Sequence, residues 1–238
     1  MNSGNTALVT GTSSGIGKAI ALHLLYKGYK VIGMARNAGN CGIQSDRFEP
    51  VNMDLADLPV LAQRLPVVAK QYADISALIC CAGRGRFGSL EEFSYPQINA
   101  LMDLNFTSQA YITKAFLPAM KQHGRGDIIF MGSEAALSGE KKGAIYCASK
   151  FALRGMAQAL RDECSRNGVR VTIINPGMVK TAFFDELSFE PGTNPENYIE
   201  AGDVANAVAM VLEARRETVF DEINLSPLKK VIHNKPKL

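Results

Sequence analysis

The sequence predicts an α/β fold: a single doubly wound parallel sheet of about seven strands, with helices on both faces. Three observations predict it. Strand-like and helix-like runs alternate along all 238 residues. Several strand-like runs are continuously apolar, as expected of parallel strands covered on both faces. A glycine-rich turn, Thr10-Gly11-Thr12-Ser13-Ser14-Gly15-Ile16-Gly17, joins the first strand to the first helix. Such alternation argues for a parallel sheet, and right-handed crossovers then distribute the helices over both faces.

The first strand, near Ala7–Thr10, runs straight into the glycine turn. A helix follows over 15–27, with Ile16, Ile20, Leu24 and Leu25 at helical spacing. Strands are expected near Lys30–Met34 and Phe48–Met53. Asp57 can cap a helix over 57–72, and Pro59 suits its first turn. Pro66 is expected to kink or split that helix. The next strand lies near Ile75–Cys81, and Ser94 before Tyr95-Pro96 opens a long helical stretch over 95–122. A strand near Asp127–Gly132 leads to a helix over 144–166, which Gly168 can end. Strands near Val169–Asn175 and Glu222–Leu225 flank a helix over 202–215. The least regular stretch is 181–201, with Pro191, Gly192, Asn194 and Pro195, and it is the candidate for a mobile substrate lid. The tail over 229–238 is basic and is expected to be solvated. No repeat or linker interrupts the chain, so residues 1–238 are read as one domain.

Composition narrows the function classes. Apolar residues make up 47% of the chain and mean hydropathy is −0.01, as in soluble globular proteins. No apolar run reaches the ~18 residues of a membrane span. The polar start, Met1-Asn2-Ser3-Gly4-Asn5, carries no signal-peptide pattern. A net charge of +3 is too small to argue for nucleic acid. Five cysteines without a Cys-xx-Cys pair read as reduced thiols in a cytoplasmic protein. Three isolated histidines offer no metal cluster, so no metal is expected.

The chemistry concentrates in two motifs. Tyr146 and Lys150 are four residues apart in a predicted helix, on one face and about 6 Å apart at Cβ. A phenol ordinarily ionises near pH ~10, too high for acid/base work at neutral pH. A neighbouring ammonium, joined by a second cation such as an oxidised nicotinamide ring, is expected to bring it down by ~2–3 units. The glycine turn supplies the other motif. Strand, glycine turn and helix is the context of a dinucleotide site, where pyrophosphate approaches the helix N-terminus. The spacing is Gly-xxx-Gly-x-Gly. A nucleoside-triphosphate loop is excluded, since Thr12 and Ala19 stand where it needs Gly and Ser or Thr. Ligands of doubly wound sheets bind beyond the carboxyl ends of the strands, so Gly11, Asp54, Gly83, Ser133 and Pro176 are expected on one rim. At the end of the second strand stands Ala35 followed by Arg36, rather than the acidic residue usual for NAD. A guanidinium pairs well with a 2′-phosphate, so NADP (NADPH) is expected over NAD.

Together these segments resemble the classical short-chain dehydrogenase/reductase family over about residues 5–225. The resemblance implies a Rossmann-type fold. It implies cofactor contacts by Gly11, Ser13, Ser14, Gly15, Ile16 and Gly17 in the loop, by Arg36, by Asp54 and Leu55, and by Cys81, Ala82 and Gly83. Pro176, Gly177, Val179 and Thr181 match the segment on the nicotinamide side. Asn105, Ser133, Tyr146 and Lys150 match the catalytic tetrad in order and spacing, Tyr146 and Lys150 also meeting the cofactor. By the same resemblance Tyr146 is the general acid/base and Lys150 lowers its pKa and bonds the nicotinamide ribose. Ser133 would bond the substrate oxygen. Asn105, at a break in the helical stretch after Leu104, would hold water against Lys150.

The clearest departure is Cys80-Cys81, where the family has two asparagines. Cys81 cannot tie neighbouring strands with comparable hydrogen bonds. The implied partners are a small-molecule carbonyl or alcohol substrate and a second copy of the chain, as homodimer or homotetramer, with no membrane and no nucleic acid. Phe183, Phe184, Leu187 and Phe189 suggest either an apolar wall or packing of the lid against the body, while Arg84 and Arg86 stand near the site mouth. The C-terminal segment, Asp221 to Pro227, looks closer to the branch acting on small hydroxy acids and other carbonyls. Competing readings are a non-catalytic NADP-binding sensor or scaffold and a nucleotide-sugar epimerase.

Overall fold

The structure is a computed structural model and describes residues 5–235. The described residues form nine strands: β1 (Thr6–Thr10), β2 (Lys30–Ala35), β3 (Phe48–Asn52), β4 (Ala77–Cys80), β5 (Gly126–Met131), β6 (Val169–Pro176), β7 (Phe189–Pro191), β8 (Glu222–Leu225) and β9 (Ile232–Asn234). Seven make one parallel sheet in the order β3-β2-β1-β4-β5-β6-β8. The order reverses between β1 and β4, which places a crevice at their carboxyl ends. This is the doubly wound Rossmann-type sheet that the alternating pattern predicts.

Helices cover both faces. On one side α1 (Gly15–Tyr26) and α6 (Ala201–Glu213) pack Ile20, Leu24, Val204 and Val208 against Val9, Ile79 and Ile129. On the other, α2 (Leu58–Gln71), α4 (Ser108–His123) and α5 (Ala144–Cys164) pack Leu61, Ile112, Phe116 and Leu153 against Leu8, Leu78 and Phe130. Alternate residues of each strand feed opposite cores because successive side chains point to opposite faces. β5 and β6 are buried along their whole length, which is why their sequences read as unbroken apolar runs.

Some expectations need correction. Pro66 neither splits nor ends α2, which runs continuously from Leu58 to Gln71. Pro66 is exposed, so water can satisfy the carbonyl it leaves free, while Leu61, Leu65 and Val68 anchor the helix to the core. The long stretch over 95–122 is α3 (Tyr95–Met102), a π turn (Asp103–Thr107) and α4. The π turn is the break expected near Asn105. α5 passes through a 3-10 turn and ends at left-handed Gly168, with φ of 68°.

The lid and the tail differ most from expectation. The segment 181–201 is tied down, because β7 pairs antiparallel with β9 of the basic tail. Gly192 N donates to Val231 O at 3.0 Å, and Lys235 Nζ donates to Phe184 O at 2.6 Å. Lys229 pairs with Glu196 at 2.9 Å, and Lys230 pairs with Glu134 at 2.9 Å and Glu140 at 3.5 Å. The tail pairs with segment 181–201 while β9 stays exposed along its length, and its lysines meet carboxylates that lie 33 to 96 residues away in sequence. The last tail positions, 236–238, lie outside the described residues.

Candidate active site

Each parallel strand delivers its site residue at its carboxyl end. β1 delivers the glycine loop. The loop enters α1 at Gly15, whose N-cap Ser14 makes no side-chain capping bond, and the first turn holds no acidic residue. The first-turn N–H groups and the helix dipole therefore favour an anion. A Cβ on Gly17 would run into the Gly11 carbonyl, so loop and helix approach as only glycine permits. Thr181, at the start of the lid, lies alongside Gly15: a Cβ there would be 3.5 Å from the threonine Cβ. This arrangement fits a dinucleotide pyrophosphate. Ser13 and Ser14 are exposed, and Ile16 packs on the α1 side of the core.

Thr10 is a functional position that sequence reasoning missed. Its Oγ1 accepts from Cys81 N at 2.9 Å and from Ala82 N at 3.0 Å. The threonine thus ties β1 to the end of β4, work that Cys81 cannot do with its own side chain. Gln109 adds a second tie, with Nε2 donating to Ala82 O at 3.0 Å. A threonine before a glycine loop carries no visible sign of a partner 71 residues away. Cys80 and Cys81 pack toward opposite cores, and burial pushes both thiols up to about 12, so neither is a ready nucleophile.

Along the rim, Arg36 follows β2 and is exposed. Asp54 follows β3, and its Oδ1 accepts from Ala56 N at 2.9 Å in a tight turn. The Leu55 side chain is buried in the core, so only its backbone is open to a nucleotide. Gly177 follows β6, and its N–H donates to Leu225 O at 2.8 Å. Val179 is buried and bridges to Ile199 across the lid.

The catalytic candidates come together. Ser133 follows β5 in extended conformation, and its Oγ accepts from Ala135 N at 3.2 Å. Its side chain also acts on the phenol of Tyr146, in the first turn of α5, favouring the ionised form. One turn on, Lys150 Nζ donates to Met131 O at 2.9 Å and stands 5.8 Å from the Tyr146 ring centre. A Cβ on Gly83 would be 3.6 Å from that ammonium, so the β4 loop brings bare backbone up to it. Asn105 is fully buried. Its Oδ1 accepts from Arg84 N at 2.9 Å, and its Nδ2 donates to Arg84 O at 3.0 Å and Ser149 Oγ at 3.2 Å. Its side chain therefore clamps the Gly83-Arg84 turn.

Burial shifts Tyr146 and Lys150 toward their neutral forms. Burial pushes the Tyr146 phenol up to about 12; Ser133 opposes the rise, and Cys147, Glu140 and Glu134 add to it. Burial also pulls the Lys150 ammonium down, to about 8. The folded chain binds the Lys150 proton less tightly than the unfolded chain, so stability rises with pH between about 8 and 10.5. Below that window the buried ammonium carries its full cost. Lys150→Met is expected to raise the melting temperature at pH 7 by a few degrees, and the gain should shrink as pH climbs to 10. Thermal melts across pH check this; a lower melting temperature for the variant at every pH would refute it.

The short chain dehydrogenase family matches residues 5–191, most of the chain. The chain belongs to that family. This short-chain dehydrogenase is therefore an oxidoreductase. It is 29% identical over 226 residues to an uncharacterized oxidoreductase of Staphylococcus epidermidis, covering 93% of this chain and 96% of that protein. It is 33% identical over 198 residues to 17-beta-hydroxysteroid dehydrogenase type 1 of Mus musculus, covering 78% of this chain and 57% of that longer protein. Among solved structures, it resembles a putative NAD(P) dependent gluconate 5-dehydrogenase from Beutenbergia cavernae with bound NADP. The TM-score is 0.84 at 27% identity, covering 95% of this chain and 96% of that one.

The dehydrogenase covers Tyr146 with aromatic rings. Phe87 lies 5.0 Å from it and Phe183 6.1 Å, centre to centre. Phe183 and Phe184 lie in the 3-10 turn that opens the lid, and Phe189 starts β7. Phe184 and Leu187 form one apolar cluster with Phe183, Phe189 and Phe87, the last not singled out by the sequence. Arg86 is exposed, with its guanidinium 5.6 Å from the centre of the Phe93 ring.

Proposed function

We propose that this dehydrogenase interconverts a carbonyl and a secondary alcohol with NADP as cofactor and Tyr146 as general acid/base. The observation that carries the reading is buried Lys150, with Nζ 5.8 Å from the centre of the Tyr146 ring, beside Ser133 and on the same rim as the glycine loop. NADPH, when bound, supplies the hydride. Ser133 holds the carbonyl oxygen within reach of Tyr146 and donates to it as negative charge develops. Tyr146 gives its proton to that oxygen. A phenol held near 12 is protonated at neutral pH, the state an acid in the reductive direction needs. Lys150 favours the phenolate that results and bonds the nicotinamide ribose. Asn105 positions the Gly83-Arg84 turn; water linking it to Lys150 would be held by main chain exposed at the π turn, since its side chain is occupied.

The pyrophosphate falls to Gly11, Ser13, Ser14, Gly15, Ile16 and Gly17, and the adenosine to Arg36, Asp54 and the Leu55 backbone. Cys81, Ala82, Gly83, Pro176, Gly177, Val179 and Thr181 enclose the nicotinamide half. NADP over NAD is supported by exposed Arg36 at the end of β2 and by the absence of a carboxylate at Ala35. Arg36→Ala is expected to weaken NADPH at least 10-fold more than NADH, measured by titration of each. Equal losses would remove the preference for NADP.

Self-association belongs to the same reading. An apolar groove of 420 Å³ between α4 and α5, lined by Ala110, Leu117, Pro118, Met156 and Leu160, supports a homodimer or homotetramer. Five cysteines without a disulfide among the described residues support a reducing compartment such as the cytoplasm. Among the described residues no helix is long and apolar enough to cross a membrane. A substrate screen that follows NADPH absorbance tests the activity. A chain that binds NADPH and oxidises it with no carbonyl would overturn the reading.

A further inference from the structure

We infer that the substrate is an uncharged, ring-bearing apolar ketone or its secondary alcohol, selected chiefly by Phe87 and Phe183. The inference rests on the hydride-transfer reading above and specifies what that site accepts.

Five aromatic rings form a closed circuit. Phe87 meets Tyr146 at 5.0 Å, Tyr146 meets Phe183 at 6.1 Å, and Phe183 meets Phe184 at 5.2 Å. Phe184 then meets Phe189 at 5.9 Å, and Phe189 returns to Phe87 at 5.0 Å. These separations are those of favourable tilted and edge-to-face pairs. Tyr146 is 7% exposed within the circuit. The Phe183 ring rests directly on the backbone of Gly85, where any Cβ would collide with it. A substrate reaching the Tyr146 hydroxyl must therefore take the place of one ring on another. Parting the rings exposes aromatic faces to water, and only an apolar, flat ligand covers them again.

The charges around the site point the same way. Glu140 and Glu134 act on the Tyr146 phenol as negative charges, and negative charge there disfavours an anion. The tail ammonium of Lys230 is already paired with both of them. Arg84 and Arg86 are exposed, and Arg86 lies over the Phe93 ring. No buried cation faces the aromatic circuit among the described residues except Lys150, whose ammonium is bonded to Met131 O. A carboxylate held among these phenylalanines would be desolvated without a partner. This favours a neutral ring over the small hydroxy acids to which the C-terminal segment pointed.

The reaction balances without another reagent. The ketone carbon gains a hydride and is reduced, NADPH is oxidised to NADP, and the oxygen takes the Tyr146 proton, which water restores. Three of the four phenylalanines lie in the 181–201 segment, which pairs with β9 through Phe189–Pro191.

The test uses the full chain with NADPH and compares initial rates on acetophenone and 1-tetralone with those on 2-oxobutanoate and a keto-sugar acid. The aryl ketones are expected to lead in kcat/KM by about 100-fold or more. They should also raise the melting temperature of the NADP-loaded protein, which the acids should not. Phe87→Ala and Phe183→Ala are expected to lower kcat/KM on the aryl ketones about 10-fold each. Phe87→Leu keeps most of the apolar volume in case the smaller side chain disturbs folding, and should show a loss in the same direction. Acids reduced as well as or better than aryl ketones would overturn the inference and leave the hydride-transfer reading standing. Reduction of none of them, with NADPH bound, would overturn that reading and the inference with it.

Discussion

Tyr146→Phe is expected to bind NADPH as the parent chain does and to lose turnover by about 10²–10⁴-fold. The substitution removes one oxygen and keeps the ring, so the contacts with Phe87 and Phe183 persist. Ser133 loses the phenol oxygen beside it but keeps the hydrogen bond from Ala135 N. Stability should therefore move by no more than about 1 kcal/mol, the net worth of an ordinary hydrogen bond. Loss of rate with unchanged melting and unchanged NADPH titration isolates the proton transfer. Near-parental turnover on a confirmed substrate would mean that another group donates the proton.

Arg170→Ala is expected to cost about 3–5 kcal/mol of stability, the loss that follows when one partner of a buried ion pair is removed. Arg170 is 5% exposed at the start of β6, on the rim opposite the candidate site. Its Nε donates to Asp127 Oδ1 at 2.6 Å. Its terminal nitrogens donate to the carbonyls of Ala214, Arg215, Thr218 and Val211 at 3.1 to 3.2 Å. Truncation leaves those acceptors without the guanidinium and leaves Asp127, itself 6% exposed, with Arg216 at 2.9 Å as its remaining ion pair. For a chain of this size the melting temperature should fall by roughly 10 °C. Arg170→Lys should recover little, because one ammonium cannot span the fork of acceptors that a planar guanidinium reaches. A melting temperature within about 2 °C of the parent for Arg170→Ala would show that the network contributes little.

The two positions differ in how much of their role is visible before folding. Tyr146 and Lys150 are four residues apart, and a helix puts them on one face wherever that helix lies. The glycine loop is equally local, since strand, turn and helix are contiguous. The parallel sheet and the single rim follow from alternation and the handedness of crossovers. Arg170 and Asp127 are 43 residues apart in ordinary strand starts, and nothing local marks them as partners. Thr10 and Cys81, or Lys235 and the lid, are of the same kind.

The pKa values divide along the same line. The sequence shows an amine near a phenol and so predicts a lowered phenol. Burial, which no local pattern shows, pushes the phenol up. Proline behaves similarly: Pro66 looks like a break, yet an exposed carbonyl and three buried neighbours let α2 continue.

The amino-acid order alone determined the parallel sheet, its crossovers and the gathering of glycine loop, serine, tyrosine and lysine on one edge. These depend on periodicity and on spacing within single elements, which the backbone enforces. Only tertiary structure decided which ring covers the phenol, which lysine straps the lid and how strongly each proton is held. Those depend on desolvation and on partners tens of residues apart, and neither exists until the chain has closed on itself.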